Sequence, residues 1–160
     1  MTKLKDADCI ISRVFAQRLV DDTELIDEIL VHYEKVTDYA KKLYKIQSDF
    51  PDLDIEFWQY RFSELQNKID LLKQQSEDAK AEGRRDDKKS IDSKLRELKG
   101  RMKLDEEKLK LQGIKGLKNA CVKLVEFQAE LKRLCKTFEA RHYSEDFTVV
   151  DAIPCVKRYL

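Results

Sequence analysis

The sequence predicts an all-α protein, built as an elongated helical hairpin or coiled-coil bundle with a short non-helical C-terminal tail. Charged residues make up 39% of the 160-residue chain, compared with roughly 25% in an ordinary globular domain. The chain has only four glycines and two prolines, and its apolar residues recur at alternating steps of three and four. Long helices with one apolar stripe and wide solvated faces account for all three observations.

The chain before Pro51 is predicted to form two helices. The spacing of apolar residues predicts a short amphipathic helix over about residues 6–20. Asp21, followed three residues later by Glu24, fits a capping box, which predicts a corner there and a second helix over about 22–48. One continuous helix is the alternative. The second helix carries a heptad seam: Ile26, Ile29, Tyr33, Val36, Ala40 and Leu43.

Pro51 ends this helix, because proline disfavours the helical conformation of the preceding residue and cannot donate a backbone hydrogen bond. A third helix is expected over about 53–82. Its apolar positions again follow heptad steps and become smaller toward the end of the helix: Ile55, Trp58, Phe62, Leu65, Ile69, Leu72, Ser76 and Ala79.

A hairpin tip is predicted around Gly83, because residues 77–90 contain no apolar side chain larger than alanine. The returning helix, over about 86–112, matches the first arm at roughly 40 Å for a rise of 1.5 Å per residue. Asp105 interrupts its apolar seam. The alternative is one helix running through Gly83, at a cost of only about 1 kcal/mol relative to alanine, which would form a longer coiled coil between two chains.

Gly113 and Gly116 predict a break before the last helix, over about 116–142. This helix is the most apolar of the set. Its wide stripe suits a helix with two neighbours, in a bundle or at a subunit interface. Together the helices are expected to form one coiled-coil domain over residues 1–142.

The C-terminal segment 143–160 is predicted to be an extended tail. Phe147, Val149 and Val150 suggest a short strand, and Pro154 prevents a continuous helix. The tail is rich in apolar residues, so we expect it to dock on its own bundle or on a partner. A flexible chain end is the alternative.

The sequence predicts a non-enzymatic protein without cofactor, catalytic residues or metal ligands. It contains no HExxH, no CxxC and no glycine-rich phosphate loop. Glu139 and His142 form one Glu-x-x-His pair, but a di-iron bundle requires two. The four cysteines are most simply small apolar core residues: Cys9, Cys121, Cys135 and Cys155.

Charge is distributed unevenly along the chain. Residues 1–82 carry 12 Lys/Arg and 18 Asp/Glu, a net charge of −6, whereas residues 84–141 carry 18 and 10, a net charge of +8. The two halves could satisfy each other across a coiled-coil seam. The basic half could instead contact phosphate on nucleic acid or on a membrane surface.

The N-terminus lacks the run of 7–15 apolar residues typical of a signal peptide, and no stretch approaches the roughly 20 apolar residues of a membrane span. Four cysteines without a secretory leader favour a reducing compartment. A cytoplasmic or nuclear protein is therefore expected.

These observations favour a structural or adaptor subunit that assembles through coiled-coil helices with itself or with other helical proteins, without a small-molecule substrate. The predicted partner-binding residues are the apolar residues of the last helix and of the tail: Leu124, Phe127, Leu131, Phe147, Val149, Val150 and Ile153.

The alternative hypothesis is a helical module that binds a membrane or nucleic acid through the basic half, residues 84–141. Its candidate phosphate-binding residues lie at the hairpin tip and along the returning helix: Arg84, Arg85, Lys99, Arg101 and Lys103.

Overall fold

The computed structural model describes residues 23–141 and 148–160. It contains four long helices, and the all-α prediction is confirmed. The described residues include no strand. Each long helix begins and ends within two residues of the position predicted from the sequence. The helices are α1 (Thr23–Asp49), α2 (Ile55–Ala81), α3 (Arg85–Leu111) and α4 (Leu117–Arg141), followed by a single α-helical turn, α5 (Val149–Ala152), and a 3₁₀ helix (Pro154–Tyr159). The short helix predicted over residues 6–20 lies outside the described residues.

The chain divides into two compact units. Unit 1 contains the described parts of Met1–Ala40 and Leu124–Leu160, and unit 2 contains Lys41–Lys123. Helices α1 and α4 contribute residues to both. The single domain over 1–142 stays a prediction, and the tail belongs to the same unit as the second half of α4.

In unit 2, helices α2 and α3 form the predicted antiparallel hairpin, so the alternative of one helix through Gly83 is wrong. The turn is a Schellman motif, in which Gly83 adopts a φ of 72°. The amide of Arg84 donates to the carbonyl of Ala79 at 2.9 Å, and the amide of Gly83 donates to that of Lys80 at 3.3 Å. These two bonds satisfy carbonyls that the helix end would otherwise leave unpaired.

The same motif ends α3. Gly113 has a φ of 84°, and the amide of Ile114 donates to the carbonyl of Leu109 at 2.9 Å. Ile114 and Leu109 are both buried, which is the apolar contact that commonly accompanies this motif. A glycine follows each of these two helices, which explains why the helix ends predicted from the sequence agree closely with the structure.

Two glycines of the hairpin offer a matched test of this turn. Gly83→Ala should destabilise the chain by about 1–2 kcal/mol, because alanine disfavours a left-handed backbone. Gly100→Ala, in the middle of α3, should stabilise it by about 0.8–1 kcal/mol through helix propensity. Neither added methyl group would contact another atom within 4 Å. The backbone conformation alone therefore decides whether each substitution raises or lowers the free energy of unfolding. Urea unfolding measures the change in unfolding free energy in both variants. Equal changes would contradict the left-handed conformation of Gly83 in the turn.

The loop between α1 and α2 is fixed by side-chain hydrogen bonds. The Gln47 amide lies 3.2 Å from the carbonyl of Phe50 and 2.9 Å from that of Leu53. Asp54 caps α2, since its Oδ1 accepts a hydrogen bond from the amide of Phe57 at 3.1 Å. Asp54 is therefore the N-cap of α2.

The tail of unit 1 contains no long helix, as predicted, but the expected short strand is wrong. Val149 and Val150 lie in the turn α5, and Phe147 lies outside the described residues. Pro154 occupies the first turn of the 3₁₀ helix, where a missing backbone donor is tolerated. Burial of the valines against helices therefore outweighs their preference for strands.

The tail packs against the helices of its own unit, which confirms the predicted docking onto the chain itself. Val149, Ile153 and Val156 are fully buried. The Tyr159 hydroxyl lies 3.2 Å from that of Thr37 on α1, and the Gln128 amide on α4 donates to the Tyr159 carbonyl at 3.1 Å. The tail thus contacts both helices of unit 1.

Candidate functional site

The described residues contain no cluster of three or more side chains suited to holding a metal ion. Cys121 and Cys135 are buried free thiols, as predicted. Burial raises the pKa of Cys121 to about 12 and that of Cys135 to about 11, so both stay protonated and unreactive at neutral pH. Cys155 is half-buried and disulfide-bonded, which corrects the core interpretation for this residue. Cys9 lies outside the described residues.

The residues predicted to bind a partner lie mainly inside unit 1. Leu124, Leu131, Val149 and Ile153 are buried, so the core of their own chain accounts for their apolar character. Val150 is half-buried. The structure therefore brings this set together as packing residues, and Phe147 lies outside the described residues.

Phe127 is also engaged within unit 1. Its ring stacks on Tyr39 with centroids 5.6 Å apart and meets His32 edge-on at 6.2 Å. The Lys35 amine lies 4.9 Å from the Phe127 centroid, in the range of a cation–π contact. Phe127 is half-buried, and these contacts account for it within unit 1.

Burial varies along the hairpin seam, and Ile55 and Trp58 at its start are half-buried. Phe62, Ile69, Met102 and Leu109, toward the end remote from Gly83, are buried. Toward Gly83, four large aliphatic side chains at heptad positions are only partly buried. We call these four residues the distal seam: Leu72, Ile91, Leu95 and Leu98.

A polar contact between the two arms of the hairpin accompanies the distal seam. The Ser76 hydroxyl donates to Asp92 Oδ1 at 2.6 Å, and Lys88 donates to Asp92 Oδ2 at 2.7 Å. The hydrogen bond from Lys88, followed by that from Ser76, lowers the pKa of the Asp92 carboxyl. Asp92 therefore stays ionised and fully paired at neutral pH.

Asp105, which interrupts the apolar seam of α3, is buried and paired with α2. Its Oδ2 accepts a hydrogen bond from Arg61 Nε at 2.5 Å. The Arg61 side chain is 41% exposed while that of Asp105 is 8% exposed. A carboxylate at a core position is thus compensated by a guanidinium that reaches in from the surface.

A basic cavity of about 460 Å³ lies on one face of unit 2. Its floor contains Ile69 and Met102, and Gln66, Glu106 and Glu107 also line it. Five lysines against two glutamates give the lining a net charge of +3. We call this cavity the lysine groove, after the lysines that α2, α3 and α4 contribute to it: Lys73, Lys99, Lys103, Lys110 and Lys118.

Only part of this positive charge is neutralised by ion pairs. Glu106 lies 3.7 Å from the Lys110 amine and 3.6 Å from that of Lys118. The other three lysines of the groove form no ion pair with the described residues: Lys73, Lys99 and Lys103. The groove thus presents three ammonium groups that lack a protein counter-ion within the described chain.

The structure separates the residues predicted to bind phosphate. Lys99 and Lys103 line the lysine groove. Arg101 does not line it and pairs with Glu97 at 2.8 Å. Arg84 pairs at the hairpin tip with Glu82 at 2.7 Å and with Asp87 at 3.1 Å. Arg85 is exposed at the start of α3.

Three groove lysines were absent from the predicted set. Lys110 shares a helix face with Lys103 at a spacing of seven, so helical periodicity could have found it. Lys73 and Lys118 come from other helices. Only the tertiary structure could have placed them there.

No protein-family model, curated protein or solved structure matches this chain. Among the described residues, no helix combines the length and apolar character that crossing a bilayer requires.

Proposed function

We propose that this protein is a non-enzymatic structural or adaptor subunit that assembles with itself or with other helical proteins through the distal seam. The supporting observation is the partial exposure of Leu72, Ile91, Leu95 and Leu98 at heptad positions of the hairpin. A helix that packs along both arms would complete this apolar surface.

Burial energy favours such an arrangement. Full burial of an aliphatic side chain of this size contributes about 1.5–3 kcal/mol. Covering the exposed part of four such side chains, about a third or less of each, offers at most roughly 4 kcal/mol before the entropic cost of association. That gain suits a reversible or multivalent contact of the kind that adaptor proteins make.

The alternative function, binding of nucleic acid or membrane along residues 84–141, has weaker support. Along α3, seven carboxylates are interspersed among the ten Lys/Arg, and three of these cations form ion pairs within the helix: Lys88–Asp92, Arg101–Glu97 and Lys110–Glu106. An extended phosphate-binding face would need unpaired cations repeated along one side. Of the α3 lysines that form no ion pair with the described residues, Lys99 and Lys103 line the lysine groove.

Alanine substitutions in the full chain test the proposed assembly. Leu95→Ala/Leu98→Ala removes two distal-seam side chains, while Leu71→Ala/Leu104→Ala removes two exposed leucines of the same hairpin. Because alanine preserves helix propensity, both variants should keep the helical circular dichroism of the wild type. We expect the first to weaken self-association in sedimentation equilibrium by at least about tenfold, and the second by about twofold or less.

Affinity purification from the source cells extends this comparison to other helical partners. Proteins retained by the wild type and by Leu71→Ala/Leu104→Ala, but lost from the distal-seam variant, would support the adaptor function. A wild-type chain that stays monomeric at high micromolar concentration and retains no such protein would contradict it.

A further inference from the structure

We propose that the lysine groove is a binding site for a compact polyphosphate, meaning a ligand that carries two or more adjacent phosphate groups. The proposal concerns a different surface from the distal seam, and it does not depend on assembly. It follows from the charge, the shape and the lining of the cavity.

The charge of the groove is poorly compensated by the protein. Lys99 and Lys103 lie one helical turn apart, where side chains of like charge repel each other. Lys73 adds a third unpaired ammonium group from the opposite arm of the hairpin. An anion placed among them would relieve this repulsion and accept charge-assisted hydrogen bonds from several amines.

Convergence from three helices indicates a ligand with several anionic groups. Lys73 lies on α2, Lys103 on α3 and Lys118 on α4. Adjacent phosphates could distribute their oxygens among amines that come from three helices. Lysine suits this role because its ammonium group is a compact point charge with three donors.

The floor of the groove disfavours an acidic helix as its occupant. Ile69 is only 3% exposed and Met102 only 6% exposed, so the apolar face of an amphipathic helix would find little surface to bury. A cavity of about 460 Å³ lies within the range of small-molecule sites. The groove therefore combines the size of a small-ligand site with mainly electrostatic recognition.

The lining also disfavours single-stranded nucleic acid. Proteins that bind single strands usually combine basic residues with aromatic side chains on which bases stack. The residues that line the groove include no aromatic side chain. The phosphates of the ligand, rather than a base, are the groups that this lining can recognise.

Isothermal titration calorimetry of the full chain with sodium tripolyphosphate tests the site. Lys99→Gln/Lys103→Gln removes two unpaired groove lysines. Lys132→Gln/Lys136→Gln is the matched control, because these lysines are also exposed, also four residues apart on one helix, and form no ion pair with the described residues. We expect the groove variant to bind at least about tenfold more weakly and the control to bind within about twofold of the wild type.

Equal losses in the two variants would show a general effect of net charge and would overturn the proposal. So would binding of tripolyphosphate and of every other polyphosphate tested no tighter than that of sulfate. If a polyglutamate peptide or a single-stranded oligonucleotide competes for the groove more strongly than tripolyphosphate, the occupant is a macromolecule and the proposal is again wrong.

Two further probes distinguish the source of the phosphate groups. Inositol hexakisphosphate represents a soluble ligand, and vesicles containing phosphatidylinositol bisphosphate represent a lipid headgroup. Binding of either probe that is lost in Lys99→Gln/Lys103→Gln and retained in the control supports the site and identifies its source. Failure of both probes and of tripolyphosphate would overturn the proposal while leaving the test of assembly unaffected.

Discussion

Leu131→Asp is expected to unfold unit 1. Leu131 is 0% exposed, and α4 has α1 and the tail as neighbours in this unit. An aspartate there would either bury an uncompensated charge or bind a proton to avoid it, at a loss of about 4 kcal/mol or more. Because folded domains are stable by about 5–15 kcal/mol, the variant should lose much of its helical circular dichroism and its cooperative melting transition.

Ala129→Asp is the matched control, two residues earlier on the same helix and exposed. The same charge on the surface should change stability by about 0.5 kcal/mol or less. A Leu131→Asp chain that melts like the wild type but no longer self-associates would contradict the buried position, and it would restore Leu131 as a partner-binding residue.

Deletion of residues 148–160 is the second change with a large expected effect. It removes three large buried side chains, Val149, Ile153 and Val156, the disulfide-bonded Cys155, and the hydrogen bonds that Tyr159 makes with Thr37 and Gln128. Each of these aliphatic side chains contributes about 1.5–3 kcal/mol when fully buried, as an upper estimate. We therefore expect a fall of several degrees or more in melting temperature.

Point substitutions distinguish the loss of packed side chains from the shortening of the chain as the cause of a lower melting temperature. Ile153→Ala should destabilise the chain by about 2–5 kcal/mol, as cavity-forming substitutions do. Lys157→Ala changes an exposed side chain of the same segment and should have little effect. If deletion and Ile153→Ala both leave the melting temperature unchanged, the tail does not pack on the helices.

The four long helices could be predicted because their signals are local. Heptad spacing identifies each helix, Pro51 identifies the end of α1, and Gly83 and Gly113 identify the two Schellman turns. The tail was harder, because Val149 and Val150 prefer strands when considered alone. The burial of Val149 within unit 1 decides the conformation, and burial depends on residues distant in sequence.

The candidate sites show the same division between local and distant information. An apolar stripe such as that of α4 does not reveal whether its neighbour is part of the same chain, so Leu124 and Leu131 were assigned to a partner although they belong to the core. Lys99 and Lys103 could be selected from the sequence, whereas Lys73 required the fold of the hairpin.

The polar contacts inside the hairpin also fix the register of its two arms. A slip of one heptad, about 10 Å along the axis, would keep most apolar positions facing each other. It would, however, separate Asp105 from Arg61 and Ser76 from Asp92, leaving a buried carboxylate uncompensated. One alignment is thereby selected over its slipped neighbours, and in that alignment Lys73 of one arm and Lys99 and Lys103 of the other line the same cavity.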